Sequence, residues 1–146
     1  MYPKPLGFTL VELVAVILIL GVLTVTVIAR VMPSRIHQLQ GARDIVVASL
    51  FNAQQKALAQ NHAVQVITTA TSVDIRVDNN DDGSFSVGES ITYAGTRYPL
   101  TLPSGVSLNA NTLTFDRLGR TPANSLTLSK SGGSVNLTIT GMGYAY

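Results

Sequence analysis

The chain has 146 residues, with 10 Lys+Arg against 8 Asp+Glu and no Cys or Trp. Charged residues make up 12%, about half the usual quarter of a soluble globular domain, and mean hydropathy is +0.31, which excludes intrinsic disorder. The missing Cys removes disulfides, thiolate zinc sites and thiol nucleophiles, and a net charge of +2 on scattered basic residues does not suit a nucleic-acid binder.

The apolar excess lies at the amino end. Phe8 to Ala29 reads FTLVELVAVILILGVLTVTVIA and carries one charge, Glu12. A helix of about 20 such residues spans a hydrocarbon core. The stretch is apolar on every side, so a chain this small could hardly enclose it. A cleaved secretory signal would be shorter and would end in a small-residue site followed by loop, whereas this pattern runs on into more helix. A membrane-embedded helix over 8–30 is the expectation. Glu12 costs a few kcal/mol in such a setting and calls for a partner. No Lys, Arg or His lies within the apolar stretch, so that partner is another chain, a terminus or a proton.

Pro33 interrupts the run and favours a kink, with Met32 before it biased away from helix. Ser34 is placed to cap a restarted helix. Ile36, Leu39, Ala42, Val46, Leu50, Ala53 and Ala57 then recur at steps of three and four, one apolar stripe. Gln38, Gln40, Asp44, Gln54, Gln55 and Lys56 occupy the opposite face, so an amphipathic helix is expected over 31–60. His37 and His62 read as surface or helix-end residues.

From Ala63 the composition turns to Thr, Ser, Val, Leu, Gly and Asn in short alternating runs. Strands are expected at Val64–Thr68, Val73–Val77, Ser90–Tyr93, Val106–Leu108, Leu113–Phe115, Leu126–Leu128 and Val135–Ile139. Turn signals separate them at Pro103–Gly105, Asn109–Asn111, Gly119, Pro122 and Gly132–Gly133. An antiparallel β-rich head over 61–146, packed on the helical stripe, gives an α+β fold. Its modest core makes that packing essential.

Five of the eight acids fall within Asp74–Glu89. The run from Asp78 to Glu89, DNNDDGSFSVGE, matches D-x-[DN]-x-[DN]-G-x5-E at every fixed position. Such a loop offers calcium an oxygen shell. Asp78, Asn80 and Asp82 alternate inward, Gly83 permits the turn, Ser84 offers its carbonyl, Ser86 works through water and Glu89 closes the shell. The flanks read as strands where the helix-flanked version of this loop has helices, and the competing reading is a polar hairpin turn.

The amino-terminal residues Gly7-Phe8-Thr9-Leu10-Val11-Glu12-Leu13, with the apolar run behind them, resemble the type IV prepilin signature shared by pilins, minor pilins and type II secretion pseudopilins. Weaker likenesses point to pseudopilin-H and FimT-like minor pilins and to minor pilins of mannose-sensitive haemagglutinin pili. They lie in Ala42–Leu58 and in Thr114–Arg120. The absence of Cys argues against the major pilins with a disulfide-bounded loop.

The resemblance implies that 1–7 is a leader cut between Gly7 and Phe8 by a prepilin peptidase/methyltransferase, which then methylates the new Phe8 amine. It implies that Thr9 and Glu12 serve assembly with other pilin or pseudopilin subunits, Glu12 meeting the Phe8 ammonium of a neighbour. It places the chain in the bacterial inner membrane as a single span with the head in the periplasm, and then in a pilus or pseudopilus filament. Counting Lys4 and the amino terminus against Arg30, Arg35 and Arg43 does not favour that orientation. The competing reading is an uncleaved, membrane-anchored, calcium-dependent binding module.

No catalytic constellation is present: the chain has two His, no Cys and neither G-x-S-x-G nor a phosphate loop. Arg117 and Arg120 flank a turn. Contact with DNA is one use for them, and a solvated turn is the more ordinary one.

Overall fold

The computed structural model describes residues 9–146, with the side chains of 23–35 left outside the described set. The chain divides into two compact units, Met1–Ile36 and His37–Tyr146. The helix α1 runs Leu10–Gln60, 51 residues. It passes through Pro33 without a break, so the two helical stretches read from the sequence form one element. A proline forfeits one backbone bond and crowds the preceding turn, and here the flanking turns carry the helix across it.

In the first unit the described helical side chains face outward. Leu10, Val11, Leu18 and Val22 are 66–79% exposed. Among the described residues no helix is long and apolar enough to cross a membrane. The span read from the sequence extends to residue 30, and its part from 23 onward lies outside the described side chains.

The second unit is an α+β head. Its strands are β1 (Val64–Thr68), β2 (Ser72–Val77), β3 (Thr92–Tyr93), β4 (Thr96–Arg97), β5 (Leu100–Thr101), β6 (Ser107–Leu108), β7 (Asn111–Phe115), β8 (Asn124–Lys130) and β9 (Gly133–Ile139), with one 3₁₀ turn at Val87–Glu89. They form a four-stranded sheet in the order β5-β2-β1-β7, a β3-β4 ribbon and a three-stranded sheet β6-β8-β9. All pairings are antiparallel, as short connections allow.

Alternation sets the register. Val64, Val66 and Thr68 point into the core while Gln65 and Ile67 do not, and Leu126 and Leu128 on β8 meet Leu137 and Val135 on β9. The helical stripe from Leu39 to Ala57 closes the core: Leu39, Ala42, Val46, Leu50, Ala53 and Ala57 are all buried. Ile36, the first residue of the expected stripe, is 61% exposed.

Strand bounds differ from expectation mainly around the acidic loop. Of Ser90–Tyr93, only Thr92–Tyr93 forms a strand, while Ser90 makes an isolated bridge to Arg76. The two-residue strands β4 and β5 carry too few residues to show a period.

Candidate functional site

Two regions carry the candidate functional residues, and each belongs to its own unit. At the amino end, Gly7 and Phe8 lie outside the described residues. Thr9 precedes the helix, and its Oγ1 accepts the backbone N–H of Glu12 at 3.3 Å. Thr9 is therefore the N-cap, and Glu12 sits at the third helical position, its backbone N–H held by that cap. A carboxylate there also opposes the positive end of the helix dipole. The sequence reading assigned Thr9 and Glu12 to assembly; the cap that Thr9 places on the Glu12 N–H is a local role for Thr9.

The second region is the acidic loop. Asp78, on the first residue after β2, is buried. Its carboxylate accepts the N–H groups of Asp82 (3.1 Å) and Gly83 (3.0 Å), one on each oxygen. Asn80 donates its amide to Asp82 Oδ2 at 2.7 Å, and Asp82 Oδ1 accepts the Ser84 N–H at 2.7 Å. Gly83 takes φ +78 and Asp81 φ +55 to make the turn; glycine adopts that region without strain. The loop thus gathers Asp78, Asn80, Asp82 and the Ser84 backbone.

Ser86 and Glu89 are held on each other instead. Glu89 Oε2 accepts the Ser86 N–H (2.7 Å) and the Ser86 hydroxyl (3.1 Å), capping the 3₁₀ turn. Among the described residues no three His, Cys, Asp or Glu converge as a metal-holding group. Each carboxylate oxygen has two lone pairs, so the single N–H on each Asp78 oxygen leaves acceptor capacity toward the loop.

Asp81 points to other partners. Its Oδ1 pairs with His62 Nδ1 (3.1 Å) and accepts from Arg117 Nη2 (2.9 Å), tying the loop to the end of α1 and to the β7–β8 turn. The hydrogen bond with His62, aided by the Arg117 charge, holds the Asp81 carboxyl below the usual aspartate range. The Ser84 N–H, with the Asn80 amide, does the same for Asp82. Behind the loop, buried Asp74 accepts the Ser90 hydroxyl on both oxygens (2.9 Å each) and Arg76 Nε at 2.9 Å. Arg76 in turn donates to the Phe85 carbonyl at 3.0 Å.

In the β7–β8 turn, Asp116 Oδ1 accepts the N–H groups of Leu118 and Arg120, each at 2.9 Å. Its Oδ2 accepts Arg120 Nε at 3.1 Å. The Arg120 N–H leads in lowering the Asp116 pKa. Both arginines flagged by the sequence are thus engaged by acids of the head.

Besides Ile36, the helical residue that sequence reasoning misplaced is Gln54. Assigned to the solvent face, it is buried, and its amide donates to the carbonyls of Gly119 (3.0 Å) and Met142 (2.8 Å). It joins the helix to two loops that are 65 and 88 residues away. Periodicity places Gln54 beside Ala53, at the margin of the stripe, and only the loops that close over that margin bury it.

A long helix laid on antiparallel sheets, with the acidic loop inserted between β2 and β3, is a type IV pilin-like α+β fold. Two crystal forms of the Pseudomonas aeruginosa type IV minor pilin FimU share it. One is 17% identical with a TM-score of 0.57 and covers 75% of this chain and 87% of that one. The other is 18% identical with a TM-score of 0.54 and covers 74% and 90%. No family model matches the chain, and no curated protein matches it.

Proposed function

We propose that this chain is a structural subunit, a minor pilin or pseudopilin, of a type IV pilus-like or type II secretion filament. A prepilin peptidase cuts it between Gly7 and Phe8 and methylates the new amine. The helix anchors the subunit in the inner membrane with the head in the periplasm, and then joins the helices of other subunits in the filament. One observation carries this reading: a type IV pilin-like head stands behind a helix whose described first turns are apolar and outward-facing, headed by the residues GFTLVEL.

Cleavage would create an ammonium four residues before Glu12. Paired across subunits in a low-dielectric setting, the two charges set register, because leaving either alone there is costly. Intact mass of the membrane-extracted protein tests the processing: loss of residues 1–7 plus one methyl is expected. A chain that keeps Met1 refutes the filament reading in favour of the uncleaved binding module.

For the acidic loop we propose calcium, which the all-oxygen donor set of Asp78, Asn80, Asp82, Ser84, Ser86 and Glu89 suits. Support comes from the motif match together with the closure of Asp78, Asn80 and Asp82 around one turn. Calcium would offset the mutual repulsion of the loop carboxylates. Calorimetric titration of the purified chain is expected to give binding heat that Asp78→Asn removes, and chelator is expected to lower the melting temperature. No calcium-dependent heat and no shift in melting would overturn it.

A further inference from the structure

We draw no further inference here: the strongest candidate, the exposed apolar patch on the head that Phe51 and Leu58 of α1 form with Leu118, Met142 and Tyr144 around Gln54, is an unpartnered face, and nothing in the structure shows what covers it.

Discussion

Gln54 gives the sharpest test of how the head is held together. Gln54→Ala removes two hydrogen bonds, to the Gly119 carbonyl at 3.0 Å and the Met142 carbonyl at 2.8 Å. Each contributes about 1 kcal/mol net. Gly119 is itself buried, so water does not readily replace the lost donor, and a stranded carbonyl costs roughly 1 kcal/mol more. The lost methylenes of a 7% exposed side chain add about 1 kcal/mol. The sum is about 4 kcal/mol, a large share of the roughly 5–15 kcal/mol that holds a domain folded. For a head of this size that lowers the melting temperature by more than about 10 °C.

Thermal melts of the full chain in detergent, followed by circular dichroism, read it. Gln54→Glu adds a signature that a packing loss lacks. The carboxylate faces two carbonyl oxygens in a buried place, which raises its pKa when folded. Stability of that variant is therefore full below the unfolded value of about 4.3 and is lost as pH rises through the raised folded value. If Gln54→Ala melts within about 1 °C of wild type, or Gln54→Glu shows no recovery in acid, the clamp is not what joins helix and loops.

Three further predictions follow from the same head. Gly143→Ala is expected to destabilise by about 3 kcal/mol, since Gly143 takes φ +84 and a Cβ there would lie 2.4 Å from the Gly119 carbonyl oxygen; a denaturant titration checks it. Leu50→Ala, at a site with no exposed surface, is expected to cost about 3 kcal/mol, while Ile36→Ala, 61% exposed, stays within about 0.5 kcal/mol; paired melts decide. The lowered pKa values of Asp81, Asp82 and Asp116 stabilise the head above the ordinary aspartate value of about 3.9, and that stability is lost as pH falls through their folded values. An acid titration of stability is expected to be shallower for Asp116→Asn than for wild type, and an identical slope refutes it.

The α+β architecture was legible because its parts have clean periods. The stripe from Leu39 to Ala57 steps by three and four, and β1 alternates residue by residue, so each names its buried face. What stayed hidden lacks a period. The strands β4 and β5 are two residues long, and Asp74 is buried out of turn in β2 because Arg76 and Ser90 neutralise it from the side. Gln54 looks polar and surface-bound until loops 65 and 88 residues away fold over it. In the acidic loop the motif located the turn, and the structure bears on its residues unequally. It gathers Asp78, Asn80 and Asp82, pairs Ser86 with Glu89, and sends Asp81 to His62 and Arg117. A pattern of residue types records which groups are near in sequence, and partners brought by other elements leave no mark in it.

The capping geometry at Thr9 makes the role of Glu12 separable. Cleavage before Phe8 would put a cation at the positive end of the helix dipole, an unfavourable place. Glu12 in the first turn would offset it within one subunit, and the same carboxylate would meet a neighbour's ammonium in a filament. Thr9→Ala removes the Oγ1 acceptor of the Glu12 N–H and costs about 1 kcal/mol of local helix stability, with the carboxylate kept. Glu12→Gln keeps the cap, since its backbone N–H is unchanged, and removes the charge. If Glu12 sets register between subunits, Glu12→Gln stops filament growth and Thr9→Ala does not. If Glu12 serves only its own helix end, the two variants weaken assembly to a similar degree. Filament yield from cells carrying each variant, set against equal membrane levels of the processed protein, separates the two, and equal filament yield refutes the register role.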